Sequence, residues 1–304
     1  MESNQEVQEM SNLSPDSRVR VFRRIIKGLD EFEGMGVDAY AVLGENYVVL
    51  LDTLLCPADM EQVVSAITPD LIEKHLVVVN SHADWDHTWG NGYFRSMRES
   101  VSLLAHERCR QRMLSPEARQ DLEEYQARYP VFHNVVLEPP TMTFPERFSI
   151  HDPQWTLELL PAPGHCRDHI AAWIPEMRIL LAFDAIEKPL PSIEDATCVP
   201  LMFTTLESLI LLNASTVLCS HGGTTSPTLL QENLSYLREI ERRSRLFLER
   251  RTPTESELEQ AAKLIDYPFE EVLARIDEEV DQNYYRWAHN KNARDILQWL
   301  ISVS

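Results

Sequence analysis

The sequence predicts an α/β fold, a four-layer αββα sandwich with a C-terminal helical extension, and three observations carry that expectation. Short apolar runs of strand character alternate with helix-like stretches up to about Ser220. The two halves of that region repeat a similar order of elements, and from Pro227 onward apolar residues recur at intervals of three and four, the helix period. A chain of 304 residues has room for one large core and a small appendage, since single cores stop growing at roughly 250–300 residues.

The opening residues are polar and acidic and read as a frayed tail, which divides the chain into a flexible segment 1–17, a catalytic-size domain 18–226 and a helical extension 227–304. Residues 18–26, 37–43 and 47–52 read as strands, the last two joined by a turn at Gly44, Glu45 and Asn46. Pro57 suits the first turn of a helix running to about Ile67, because its fixed φ and missing N–H cost nothing there. Residues 76–80 form a short apolar strand of the kind buried on both faces. Another strand at 101–105 leads to a charged helix over 107–128, which Pro130 stops. Strands follow near 134–137, 156–160, 170–174 and 178–182, then a helix near 205–212 and a strand at 216–220. Leu229, Leu230, Leu234, Leu237 and Ile240, then Leu258, Ala262, Ile265, Val272, Ile276 and Val280, predict three or four closing helices.

Composition narrows the function. With 44% hydrophobic and 25% charged residues the chain has the make-up of a soluble globular protein. A formal charge of −20 repels phosphate backbones and disfavours nucleic acid as a partner. No apolar run approaches the ~20 residues that span a bilayer, and the opening segment lacks the basic and apolar regions of a secretory signal, so no membrane partner and a cytoplasmic location are expected. The five cysteines (Cys56, Cys109, Cys166, Cys198, Cys219) form no Cys-X-X-Cys pair and are odd in number, which points to reduced, structural thiols.

Chemistry concentrates in four loops, each after an apolar strand. The first, Ser81 to His87, places His82, Asp84, Asp86 and His87 within six positions. Such a cluster behind a buried strand would cost several kcal/mol unless its groups were paired or bound to metal. His165 lies in a Pro-Gly-His loop, Asp184 ends the run from Leu180, and His221 follows the strand near 216–220 in Ser-His-Gly. Ligand-type residues at strand ends converge on one edge of a sheet, where α/β proteins place their sites.

These four motifs, in this order over about residues 35–225, resemble the metallo-β-lactamase superfamily. Its His-X-His-X-Asp-His pattern is altered here, because Asp84 stands where an imidazole is expected. The resemblance implies that His82, Asp84 and His165 hold one metal, that Asp86, His87 and His221 hold a second, and that Asp184 bridges them. It implies a metal-bridging hydroxide as nucleophile, with Asp86 as the catalytic residue that orients it and passes a proton to the leaving group. The cofactors implied are two divalent metal ions, zinc by family default, with manganese or iron favoured by the extra carboxylate of Asp84.

The activity implied is hydrolysis of a small ester, thioester or lactone, as in the glyoxalase-II-like thioesterases and acyl-homoserine-lactone lactonases, which share the frame. A small-molecule substrate is expected, and the oligomeric state stays open, a homodimer included. β-Lactam hydrolysis fits less well with the altered ligand, and the β-CASP nucleases carry an inserted domain that this chain lacks. Two alternatives remain at this stage. Flavodiiron proteins place a carboxylate in the slot of Asp84 and bind two irons that react with oxygen or nitric oxide, although no flavodoxin-like domain fits here. A modified site could also bind a ligand without turnover.

Other residues carry competing readings. His169 is either a group at the centre or a hydrogen-bonding neighbour of it. Cys166 invites a ligand reading but does not occupy the cysteine position of the lactamases that use one. His75, His106, His133, His151 and His289 lie outside the motifs. Trp85 and Trp89, four apart on an expected short helix, share one face and either pack or wall a substrate. The segment 238–251 is locally basic, which suits either a helix face of Glu/Arg pairs or an anionic ligand.

Overall fold

The computed structural model describes residues 6–29, 32–97, 100–223, 226–273 and 282–303. The first sheet runs, in spatial order, through β1 (Val7–Glu9), β2 (Val19–Ile25), β3 (Gly36–Leu43), β4 (Tyr47–Leu51), β5 (His75–Asn80), β6 (Ser102–His106) and β7 (Met142–Phe144). Neighbours are antiparallel up to β4 and parallel from β4 to β7. Parallel neighbours need crossovers, and these carry α1 (Pro57–Ile67), α2 (Trp85–Thr88), α3 (Glu107–Met113) and α4 (Pro116–Arg128).

The second sheet holds β8 (Phe148–Asp152), β9 (Trp155–Pro161), β10 (Ile170–Ile174), β11 (Ile179–Leu181) and β12 (Thr216–Leu218). All its pairs are antiparallel except β11 with β12, which α5 (Val199–Leu211) connects. The chain then continues through α6 (Thr228–Leu248), the short helices α7 (Glu255–Leu258), α8 (Ala261–Leu264) and α9 (Phe269–Leu273), and α10 (Gln282–Ser302).

Strand alternation makes the layers. In β3, Val37, Ala39 and Ala41 pack outward with Met60, Val63 and Ile67 of α1, while Tyr40 and Val42 meet Trp155, Leu157 and Leu159 of the second sheet. In β10, Ile170, Ala172 and Ile174 face the inter-sheet core, and Ala171 and Trp173 face the core shared with α5, α6 and α10. A period of two with both faces covered gives helix, sheet, sheet, helix, the αββα sandwich expected. The periodic residues from Leu229 to Ile240, with Leu258, Ala262, Ile265 and Val272, all enter that helical core. Ile276 and Val280 lie outside the described residues.

Several expectations need correction. Residues 1–5 lie outside the described residues, but the rest of the expected tail is not free, because Val7–Glu9 pairs with β2 and the Gln62 side chain accepts the N–H groups of Glu6 and Val7. The run 134–137 is no strand. Gln126 donates to the Phe132 and Val135 carbonyls and Asn91 to that of Glu138, so side chains satisfy the loop backbone there. The helix expected over 107–128 is two, since Ser115 caps a new start by accepting the Ala118 N–H, and Pro116 occupies its first turn. α5 begins at Val199, earlier than expected, with Pro200 in its first turn. Five helices rather than three or four follow Pro227 among the described residues.

Candidate metal centre

The strand ends of both sheets meet at one edge. Cross-sheet bonds fix them there: Ile170 N–H to the Ser81 carbonyl (2.9 Å), Asp38 N–H to that of Ser220 (3.0 Å) and the Tyr40 hydroxyl to that of Cys219 (2.7 Å). Two turns adopt left-handed backbone, Asp52 after β4 (φ 64°) and Phe183 before Asp184 (φ 48°). For non-glycine residues such a conformation costs of order 1–3 kcal/mol, and it recurs where a side chain must be aimed. Gly164 (φ 151°) lets the His165 loop lie on α5, because a Cβ there would sit 2.6 Å from the Met202 Cα.

All seven residues singled out in the motifs come together. The Asp184 Oδ2 atom lies 3.6 Å from His82 Nε2 and 3.7 Å from His165 Nε2 on one side. On the other it lies 3.2 Å from His87 Nε2 and 3.5 Å from His221 Nε2. Asp84 Oδ2 completes the first set, 3.3 Å from His82 and 3.2 Å from His165. Asp86 Oδ2 completes the second, 3.6 Å from His87 and 3.3 Å from His221. Donors ~2.0–2.1 Å from a tetrahedral ion stand ~3.3–3.4 Å from one another, so both sets have the spacing of a metal shell.

The donor chemistry fits an ion equally well. The Nε2 atoms of His82 and His87 are buried without a hydrogen-bond partner, a state that ordinarily costs ~1–3 kcal/mol per group. Each of the four imidazoles has an acceptor at Nδ1. His87 donates to Asp52 Oδ2 (2.8 Å), His221 to the Gly36 carbonyl (2.9 Å), and His82 to Ser81 Oγ (2.8 Å), whose own hydrogen goes to Asp52 (2.7 Å). His165 faces the carbonyl and hydroxyl oxygens of Ser192 (3.3 and 3.0 Å). Assigned from those partners, the tautomers turn every Nε2 lone pair inward. Burial disfavours the His87 imidazolium, but the carboxylates of Asp184, Asp86 and Asp52 outweigh it and raise its pKa well above the usual value.

Asp84 is not the uncompensated charge that the sequence suggested. Its Oδ1 is paired with Arg112 Nη2, while Arg112 Nη1 lies 3.2 Å from Asp168 Oδ1. Asp168 in turn accepts the Ala83 N–H (2.8 Å) and so anchors the first ligand loop. Burial pushes the Asp84 carboxyl up, yet Arg112 and His82 more than offset it and hold it well below the usual range. The Arg112 guanidinium, shared between Asp84 and Asp168, partly offsets the carboxylate that Asp84 adds to the two of the His-X-His-X-Asp-His pattern.

His169 stands behind the centre, its Nε2 accepting the Asp184 N–H (3.1 Å). Burial and the neighbouring His82 and His165 depress its pKa, so it stays neutral. Cys166 has its sulfur within 4.8 Å of a ring nitrogen of both His82 and His165, but burial and then Asp168 push its thiol well up. His106 caps α3 and His289 bridges Tyr236 and Tyr267, both away from the ligands. Along the basic segment Arg242 and Arg243 pair with Glu239, and Arg238 and Arg245 with Glu241, as a helix face of ion pairs. Trp89 is core, whereas Trp85 touches Phe32 at 5.4 Å and borders the site.

Sequence reasoning missed Asp52, Arg112, Asp168 and Ser192. Asp52 ends an apolar strand just as the ligands do, so the same signal could have found it. Arg112 sits on a charged helix among other arginines and carries no such mark. The C-terminal helices were expected, but not the part that α10 plays at the site. Lys291 of α10 donates to the Ile193 and Glu194 carbonyls, and Asn292 holds Ile193 N–H (3.1 Å) and the Pro191 carbonyl (2.7 Å), which fixes the loop that orients His165.

The model of the metallo-beta-lactamase superfamily matches residues 33–221. Among solved structures, a metallo-beta-lactamase family protein from Thermus thermophilus is similar, with a TM-score of 0.67, 16% identity and 95% of each chain covered. A metallo-beta-lactamase from Pontibacter korlensis has a TM-score of 0.57 and 19% identity, over 75% of this chain and 97% of its own. The mono-zinc form of the FIM-1 metallo-beta-lactamase from Pseudomonas aeruginosa has a TM-score of 0.55 and 18% identity, over 75% and 93%. At these identities the likeness is one of fold. No curated protein matches the chain significantly.

Proposed function

Since the chain belongs to the metallo-β-lactamase superfamily, we propose that it is a dinuclear metal-dependent hydrolase of a small ester, thioester or lactone. The observation that supports this most is one carboxylate oxygen, Asp184 Oδ2, shared by two sets of imidazoles whose Nε2 atoms turn inward. His82, Asp84 and His165 would hold one divalent ion, Asp86, His87 and His221 the other, with Asp184 between. Bound there, the ions supply a water acidic enough to ionise near neutral pH and polarise the carbonyl under attack.

The chain's own groups do the rest. Burial opposes ionisation of Asp86, but His87 and His221 outweigh it and keep its pKa below the usual value, so the carboxylate is free to accept the nucleophile's proton and pass it on. Asp52 and Ser81 hold His82 and His87 in register, and His169 fixes the backbone of Asp184. Zinc suits this donor set, while the oxygen of Asp84 also admits manganese or iron. We place the protein in the cytoplasm with a small-molecule substrate and no nucleic-acid or membrane partner. No helix of the described residues is long and apolar enough to cross a membrane.

The test is metal content of protein purified without chelators, followed by an ester, thioester and lactone panel. Two metals per chain and turnover that falls about 10²–10⁴-fold in Asp86→Ala are expected. Activity of that variant within about twofold of the parent would sink the mechanism. Two irons with an oxygen-sensitive absorption band would instead support the diiron reading that Asp84 motivates, and less than one metal per chain a ligand-binding one.

A further inference from the structure

The metal centre opens into a cavity of ≈ 280 Å³ whose far wall comes from α10 and the segment before β3. Its rings form a continuous chain. Trp85 meets Phe32 at 5.4 Å, Phe32 meets Tyr284 at 5.8 Å, and Tyr284 meets Trp287 at 5.9 Å between centroids. Trp287 is 57% exposed, which leaves apolar surface at the mouth that packing does not explain.

The cations lining this cavity are already engaged. Arg112 is paired with Asp84 and Asp168. Lys291 has three donors, and they go to the Ile193 and Glu194 carbonyls and to Asp295. Glu194 adds a negative charge to the same rim, and the whole chain carries −20. Away from the candidate metal ligands, the described residues of the wall offer an anionic group no unpaired cation, and the charge of the chain opposes its approach to the mouth.

We propose that the cavity selects an uncharged substrate bearing a flat, apolar group beside its scissile carbonyl, stacked on the Tyr284–Trp287 face. This rests on the hydrolase reading above. The carbonyl lies toward Asp184, and the apolar group lies along the aromatic wall, because the carboxylates and imidazoles occupy the opposite side. At ≈ 280 Å³ the cavity has room for such a group beside the carbonyl.

The test separates binding from turnover. Phenylacetamide, succinamate and acetamide are titrated into the zinc-loaded protein by ligand-observed NMR, and methyl phenylacetate, benzyl acetate and monomethyl succinate are offered as substrates. Phenylacetamide is expected to bind about tenfold tighter than succinamate and to lose about three- to tenfold in Trp287→Ala, with acetamide unaffected. The exposed position of Trp287 lets that variant fold, which circular dichroism checks. Equal or tighter binding of succinamate, or phenylacetamide binding unchanged in both Trp287→Ala and Trp287→Ala combined with Phe32→Leu, overturns the proposal. The aromatic preference in binding with no ester turned over by zinc-, manganese- or iron-loaded protein keeps the cavity assignment and removes the hydrolase reading instead.

Discussion

Arg112→Gln tests whether Asp84 works as a ligand. Arg112 holds Asp84 Oδ1, while Oδ2 of the same carboxylate faces His82 and His165 at 3.3 and 3.2 Å. The arginine and an ion on Oδ2 therefore draw on one charge from opposite sides. At ~4 Å a unit pair is worth about 4 kcal/mol with an effective dielectric of 20 and about 1 kcal/mol in water. Arg112 is 42% exposed and Asp84 26%, so the screened end applies, and removing the cation should tighten the first metal by about 1–2 kcal/mol, roughly five- to thirtyfold. Glutamine keeps a donor near Asp84, and Asp168 retains the Ala83 N–H, so the loop should stay in place. The assay is chelator competition with zinc and with manganese, alongside metal stoichiometry. First-site affinity that falls tenfold or more would show that Arg112 holds the loop rather than balancing its charge, and the reasoning would be wrong.

Asp52→Ala strips the acceptor shared by Ser81 N–H, Ser81 Oγ and His87 Nδ1. Metal affinity should drop about 10–100-fold and stability by about 2–4 kcal/mol, read by chelator competition and urea unfolding; a loss confined to stability would detach Asp52 from the centre. Glu187, buried with its Oε1 accepting from the Tyr285 hydroxyl (2.6 Å), is pushed up to about 7 by burial. Its folded pKa lies above that of an unfolded glutamate, so its stabilisation is full below about pH 4 and lost as pH rises through 7, roughly 3 kcal/mol at most. Thermal unfolding of metal-free Glu187→Gln should accordingly lose less stability between pH 5 and pH 8 than the parent; parallel slopes would dismiss the assignment.

The legible parts of this chain are those in which one residue type carries one meaning. Strand runs such as 170–174 and the convergence of the candidate ligands at strand ends were readable because burial on both faces demands apolar sequence and a strand end next to a carboxylate or imidazole demands a reason. The run 134–137 misled because three of its four residues are apolar, yet it pairs with no strand: Gln126 satisfies the Val135 carbonyl and Asn91 that of the adjoining Glu138. Val7–Glu9 was missed because an edge strand with two exposed residues carries no apolar pattern. Local signals cannot reveal Arg112 or Trp287 either, since each reaches the centre from an element whose packing decides what it meets.

Asp84 shows why a motif departure should be judged with its surroundings. In isolation a carboxylate in place of an imidazole adds charge and lowers the Lewis acidity of whatever ion it holds. With Arg112 on its outer oxygen the added charge is partly offset, and what persists in full is the change from nitrogen to oxygen donor. The two effects have different consequences. Donor identity bears on which metal is chosen, whereas net charge bears on how acidic a bound water becomes. Asp84→His in the presence of Arg112 would therefore leave beside the centre a guanidinium held by Asp168 alone, so restoring the common motif at that single position should loosen the first ion. Asp84→His together with Arg112→Gln should recover it, and the two positions form one unit.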